Sequence, residues 1–205
     1  MHGRDAHATM LWKGAMAEPS RRRRAAIEGL TPARRQPTEQ HPAAPSAPFL
    51  IGHGYDIHRL QTGGKLTVCG VVISDEMSAI AHSDGDVAYH AIVDAILGAL
   101  GLGDIGEMFP NSDPKWKNVA SKVFVETALH RAARAGYFPS NIDVTLLIEK
   151  PKIKPFKPQM LEALRSLSGP DVTINIKAGT NEGCDTVGRG EAVASHAVVL
   201  LAARR

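Results

Sequence analysis

Asp56 and His58 stand two residues apart in a stretch, residues 49 to 58, whose apolar and polar positions interleave. On a strand this spacing sends both side chains out of one face, so a carboxylate oxygen and an imidazole nitrogen can converge on a point. A third donor is available from His82 or from His90, the latter carried by a following helix. An aspartate with two histidines and an open position suits catalytic zinc, and the facial set of two histidines and one carboxylate also holds iron. Asp86 and Asp94 flank His90 at i−4 and i+4, where either would orient its second ring nitrogen. A capping acid and a solvated helix acid account for them more simply.

Glycine-rich turns add a second kind of chemistry. Gly179-Thr180-Asn181-Glu182-Gly183 follows a strand pattern, and Val187-Gly188-Arg189-Gly190-Glu191 opens the last element. Backbone amides, a hydroxyl and a guanidinium there would surround phosphate oxygens, although such turns also arise for purely conformational reasons. Lys150, Lys152 and Lys154 alternate with Pro151 and Pro155 past a strand and read as a solvated edge.

These groups need a scaffold, and the patterning predicts one. A strand over 49–58 and a second over 65–73 are joined by Gln61 to Gly64, whose Gly-Gly predicts a hairpin. Ser83 to Leu100 reads as a helix with Ser83 or Asp84 as N-cap, ended by Gly101 to Gly103. Asp104 to Asn118 has two prolines and no period, which predicts a loop. Helices follow over 119–135 and 157–167, with strands over 141–149 and 172–178. Residues 191–203 fit a buried strand through Val198 to Leu201 and a helix through their alanines. The mixed order predicts an α/β chain, an α+β sandwich with one mixed sheet and helices on one face.

Composition narrows the classes. The 205 residues suit one domain with extra chain. The most apolar run, Ala91 to Leu102, is far shorter than the roughly 20 residues needed to cross a bilayer, so no membrane role is expected. Cys69 and Cys184 form neither a disulfide framework nor a Cys-x-x-Cys pair, and a reducing compartment is expected. The net charge of +3 divides unevenly: residues 1–48 hold eight Lys or Arg against four Asp or Glu, and residues 49–205 hold 16 against 17. The part expected to fold is not basic, which argues against nucleic acid as a partner. Residues 1–48, with six of the 13 prolines and the run Arg21 to Arg24, read as a disordered extension or as a targeting peptide. The domain proper is expected over 49–205.

The motifs Gly52-His53-Gly54-Tyr55-Asp56-Ile57-His58, Ala81-His82-Ser83-Asp84-Gly85-Asp86-Val87, Asp104-Ile105-Gly106, Phe109-Pro110-Asn111-Ser112-Asp113 and Gly188-Arg189-Gly190-Glu191 occur in this order. From Ile51 to about Leu201 the chain resembles the 2-C-methyl-D-erythritol 2,4-cyclodiphosphate synthase family of the non-mevalonate isoprenoid pathway. The resemblance implies a homotrimer with active sites between subunits and a phosphorus–oxygen lyase reaction. By position, Asp56, His58 and His90 would hold zinc, and Glu182 a second divalent ion, magnesium or manganese. His82 and Thr180 would be the catalytic pair that steadies the transition state, with Ser83 also on substrate phosphate. Asp104, Ile105 and Gly106 would bind the methylerythritol hydroxyls, and Phe109, Pro110 and Asp113 would belong to a closing loop. Ile148, Lys152, Gly179 and Asn181 would form the cytidine pocket. Arg189 would contact anions, including an isoprenoid diphosphate in a central channel.

The likeness departs from the bacterial pattern at Cys184-Asp185-Thr186, in place of Leu-Gly-Phe, and at Gly179 and Asn181, in place of threonines. Asp94 to Leu102, Ser112 to Lys117 and His196 to Leu201 look like the plastid branch, which implies a plastid address in the first 48 residues, with the cytoplasm as the alternative. The implied reaction is attack by the substrate's own 2-phosphate on the β-phosphorus, releasing CMP. A metal-dependent phosphohydrolase and a nucleic-acid-binding module resting on Arg21 to Arg24 are the competing classes.

Overall fold

The computed structural model describes residues 47–203. The reading of residues 1–48 as extension or targeting peptide falls, but for residues 47 and 48, outside these.

Interleaved polarity produces the first strand, β1 (Phe49–Thr62), which is longer than its pattern predicts. Four more strands join it: β4 (Met77–Ala79), β5 (Tyr137–Leu147), β6 (Thr173–Gly179) and β7 (Ala192–Ala203). The sheet order is β4-β1-β7-β5-β6, with β5 and β6 parallel and the remaining pairs antiparallel. The ambiguous last element is therefore a strand. It occupies the centre of the sheet, where Val193, Ala197, Val199 and Leu201 are buried, and its small alanines allow close cover on that face.

Three helices pack on this face: α1 (Val87–Ala99), α3 (Lys122–Arg134) and α4 (Lys157–Ser168), with the single turn α2 (Ile105–Met108) between the first two. Ile92 and Ile96 of α1, Phe124 and Ala128 of α3, and Met160 and Leu164 of α4 meet Ile142, Val144 and Leu146 of β5 in one core. The other face is open. Phe49 is 56% and Ile51 70% exposed there, with Tyr55 and Ile57 also exposed. Among the described residues no helix is long and apolar enough to cross a membrane.

The predicted hairpin between 49–58 and 65–73 does not form. Residues 65–73 instead fold on themselves as β2 (Leu66–Val68) and β3 (Val71–Ser74), while β1 pairs with β7 and β4. The reason is local. Cys69 and Gly70 both take positive φ, 49° and 74°, as the two central residues of a tight hairpin turn. The Asp86 carboxylate accepts both of their N–H groups, at 2.9 and 2.6 Å, and that of Tyr89 at 3.1 Å.

Asp86 is thus the N-cap of α1, in place of the predicted Ser83 or Asp84. Burial pushes its carboxyl up to about 6, against the pull of the Gly70 and Tyr89 amides. Folded Asp86 binds a proton more tightly than an unfolded carboxyl titrating near 4, so the stability that its titration contributes declines as the pH rises through about 4 to 6. The Asp86→Ala variant is expected to lose about 3 kcal/mol of unfolding free energy in urea titrations, with a larger loss at pH 5 than at pH 7.

The loop predicted for residues 104–118 is partly helical. It contains α2 and a 3-10 turn (Pro114–Trp116), capped by the side chains of Asp104 and Asp113, which accept from Glu107 N and Lys115 N.

Candidate metal centre and substrate pocket

The line of α1 across β1 is set by two glycines. A Cβ on Gly52 would lie 1.8 Å from the carbonyl oxygen of Ala95, and one on Gly54 1.9 Å from that of Ala91. Only glycine lets strand and helix meet backbone to backbone there. The next two residues of the same parity, Asp56 and His58, lie beyond the point of closest approach, where β1 has room for side chains on the helix face. His90 precedes Ala91 on α1 and arrives at the same place.

Three donor atoms meet there. His90 Nδ1 is 2.9 Å from Asp56 Oδ2, His58 Nε2 is 3.0 Å from the same oxygen, and the two nitrogens are 3.0 Å apart. Tetrahedral bonds of about 2.0 to 2.1 Å would separate ligand atoms by roughly 3.3 Å, so this near-equilateral triangle fits a small divalent cation with little adjustment. Burial pushes the Asp56 carboxyl up, but hydrogen bonds to His58 and His90 and their charge outweigh it and hold the group far below the usual carboxylate range. Asp56 therefore stays ionised, as a ligand must. The structure brings together Asp56, His58 and His90 and leaves His82 outside the triangle.

The second nitrogen of His90 is met by neither Asp86 nor Asp94. Its Nε2 lies 2.8 Å from Ser121 Oγ and 3.1 Å from Ser83 Oγ, and the Ser121 hydroxyl donates to Asp84 Oδ1. Asp94 serves the fold instead. Burial raises its carboxyl, and its Oδ1 accepts the N–H of Ile105 at 2.7 Å, tying the start of α2 to α1. Sequence reasoning misses Ser121. It looks like an ordinary residue at the start of a helix, and only the tertiary fold brings residues 31 positions apart together. Asp84 reads from the sequence as a cap alone.

A pocket of about 290 Å³ opens on the triangle. It is lined by Asp56, His58, His82, Ser83, His90, Ile105, Gly106, Phe109 and Asn111, with Ile80, Ala81, Trp116 and Phe124. The expected zinc ligands thus share one cavity with Ile105 and Gly106, two of the three expected methylerythritol residues, while Asp104 is not part of its lining. Phe109 is a buried wall, edge-to-face with Trp116 at a ring separation of 5.0 Å and tilted against Phe124 at 4.5 Å. Pro110 is exposed, and Asp113 caps the 3-10 turn and pairs with Lys115 at 2.7 Å.

Thr180, Glu182, Gly179, Asn181, Ile148, Lys152 and Arg189 do not line this pocket. Gly179 ends β6 at the far edge of the sheet and leads into Thr180, Asn181 and Glu182, with Ile148 beside it, whereas Arg189 lies near the start of β7, where Glu191 O accepts Leu60 N of β1 at 2.8 Å. Through the pairings Asp56 with Ser195, Ser195 with Leu146 and Leu146 with Ala178, the end of β6 lies level with Asp56 but three strands away, a separation of about 14 Å. The group is internally ordered: Ile148 N donates to Gly179 O at 3.0 Å, and Asn181 N to Glu149 Oε1 at 2.8 Å. Glu182 holds a positive φ of 50°, an uncommon conformation outside glycine.

Asp185, one of the departures from the bacterial pattern, organises the neighbouring loop. It accepts from Gly188 N at 2.9 Å and Asn181 Nδ2 at 2.8 Å, and these bonds hold its carboxyl below the usual range. Arg189 is paired through two nitrogens with Glu191, at 3.1 Å each.

A carboxylate and two imidazoles converging at the mouth of a pocket make a candidate site for a divalent metal, the arrangement of a metal-assisted enzyme. The YgbB family matches residues 49–202, and the chain belongs to it. It is similar to the chloroplastic 2-C-methyl-D-erythritol 2,4-cyclodiphosphate synthase of Arabidopsis thaliana, 50% identical over 155 residues, covering 75% of this chain and 67% of that one. The synthase of Anaplasma phagocytophilum is 46% identical over 158 residues, covering 75% of this chain and 94% of the relative. A solved synthase in a CDP-bound form superposes with a TM-score of 0.68 at 39% identity, covering 74% of this chain and 99% of that one.

Proposed function

We propose that this chain converts 4-diphosphocytidyl-2-C-methyl-D-erythritol 2-phosphate to 2-C-methyl-D-erythritol 2,4-cyclodiphosphate and CMP, the reaction for which its relatives are named. The observation that carries this reading is the triangle of Asp56, His58 and His90 in one cavity with His82, Ser83, Ile105 and Gly106. Zinc at the triangle and magnesium or manganese at Glu182 would supply Lewis-acid polarisation and charge neutralisation for the meeting of two phosphates.

The protein's own part is to fold the substrate. Ile105 N is taken by Asp94 and one oxygen of Asp104 by Glu107 N, which leaves the other Asp104 oxygen and the Gly106 amide for the methylerythritol hydroxyls. His82 and Ser83 hold the phosphate nearest the triangle, and Thr180 holds the chain of phosphates from the other side. The 2-phosphate oxygen then attacks the β-phosphorus, the bond to the CMP phosphate breaks, and CMP carries away that electron pair. Bringing the reacting atoms to about 3 to 3.5 Å exploits an intramolecular advantage of up to roughly 7 to 11 kcal/mol. The wall of Phe109 and Trp116 excludes water that would otherwise hydrolyse the diphosphate.

The end of β6, which leads into Thr180 and Glu182, stands about 14 Å from Asp56 along one sheet, so a single chain does not close the site. The open sheet face, with Phe49, Ile51, Tyr55 and Ile57 exposed, suits assembly with two further copies. In a homotrimer one subunit's triangle would meet its neighbour's Thr180, Glu182, Ile148, Lys152, Gly179 and Asn181. An isoprenoid diphosphate in the channel between the three sheets would have to draw Arg189 away from Glu191. Residues 1–48 would address the chain to a plastid, as the names of the chloroplastic relatives suggest, and residues 49–205 would be the synthase domain.

Phosphorus NMR of the protein with the cytidyl substrate is expected to show the cyclic diphosphate and CMP appearing together, and neither after chelation. Hydrolysis products without the cyclic diphosphate would overturn the reading in favour of a phosphohydrolase.

A further inference from the structure

We propose that Asp84 and Ser121 are positioning residues for the metal centre, joined to it as a one-way hydrogen-bond relay: His90 N–H to Ser121 hydroxyl to Asp84 carboxylate. The inference rests on the reading of Asp56, His58 and His90 as metal ligands.

The direction follows from donor and acceptor accounting. Nδ1 of His90 is the nitrogen that joins the triangle. If its lone pair faces a cation, the ring proton must sit on Nε2, which can then only donate. Two hydroxyl oxygens are in reach, Ser121 at 2.8 Å and Ser83 at 3.1 Å. An ionised carboxylate only accepts, so the Ser121 hydroxyl must spend its single hydrogen on Asp84 Oδ1. Its oxygen is thereby left as an acceptor aimed at His90. A rotated hydroxyl would break the bond to Asp84, so the carboxylate fixes the hydroxyl and the hydroxyl fixes the imidazole.

Asp84 is itself held in place. Its Oδ2 accepts the Ser121 backbone N–H at 3.1 Å, its Oδ1 accepts Asp86 N at 3.3 Å, and its own N–H donates to Val119 O at 3.3 Å. Ser121 is fully buried. Metal-bound histidines commonly hand their second N–H directly to a carboxylate or carbonyl, which fixes the tautomer and raises ligand basicity. Here a serine is interposed, and the same carboxylate clamps the loop of His82 and Ser83 to the start of α3, where Asn118 N also donates to His82 O at 2.8 Å. One acid thus sets both the ring that grips the cation and the loop that would grip the phosphate.

The test is a zinc-affinity titration against a chromophoric chelator, on the full-length wild type, Ser121→Ala, Asp84→Asn and the double variant. Each single variant is expected to bind zinc about 10- to 100-fold more weakly, and the double variant no more weakly than the worse single one, because both interrupt one chain. Urea unfolding of the metal-free proteins provides the control, since a merely structural role would shift unfolding and leave zinc affinity alone. Nitrogen-15 NMR of the zinc-loaded wild type is expected to place the His90 proton on Nε2 and needs no variant to fold. Zinc affinity within about twofold of wild type in Ser121→Ala, losses that multiply in the double variant, or a proton on Nδ1 would each overturn the relay. A wild type that binds no zinc overturns the metal centre itself, and the relay with it.

Discussion

His90→Ala is expected to bring release of CMP from the cytidyl substrate below about 1% of the wild-type rate, with loss of bound metal measured by atomic absorption on the same preparation. The size of the effect follows from the triangle. Removing one of three donors, each about 3 Å from the others, leaves a carboxylate and one imidazole, a pair too weak to hold a catalytic cation at working concentrations. The fold should survive, because the α1 cap and the Gly52 and Gly54 contacts do not involve the ring, whose contact with the core is to Phe124 at a ring separation of 6.0 Å. Circular dichroism matching the wild type, together with metal content near zero, is the expected pairing. Full metal content with normal turnover would remove His90 from the site.

Gly54→Ala is expected to be as damaging by a different route. The added methyl would sit 1.9 Å from the Ala91 carbonyl oxygen and 2.8 Å from the Ala95 amide nitrogen. Neither is the end of a flexible side chain that can swing aside. The helix must lift from the strand by over about 1 Å, a strain costing roughly 3 kcal/mol or more. Because His90 adjoins Ala91, the lift carries one metal donor away from the other two. Misplacement of that order costs about 100-fold in rate. Urea unfolding should report the lost stability and a zinc titration the lost affinity. A variant as stable as wild type with unaltered zinc binding would show that the close approach is not needed.

Much of this is legible in the residues. Asp56 and His58 can be placed on one face from a spacing of two, and helical and strand periods locate most elements within a few positions. The hairpin of 49–58 with 65–73 is misread because Gly63-Gly64 and Cys69-Gly70 are both good turns, and pattern alone does not say which turn joins paired strands; the carboxylate of Asp86, 16 residues from Gly70, decides it. The final element is ambiguous because its alanines have no strong preference, and a central position in the sheet settles them as strand. The choice between His82 and His90 lies beyond spacing, and the family resemblance makes it. Ser121 leaves no trace in the sequence, since its role exists only once α3 is folded against the loop of Asp84.

The flush contact of α1 on β1 has a further consequence, for ion discrimination. Two of the donors ride on the strand and the third on the helix, and no side chain lies between these elements at Gly52 and Gly54 to act as a cushion. In the proposed metal site, the opening between the donors is therefore held near its width of about 3 Å by the backbone. A cation such as calcium, which takes six to eight oxygen ligands at about 2.3 to 2.6 Å, would find an aperture too narrow and too rich in nitrogen to enter.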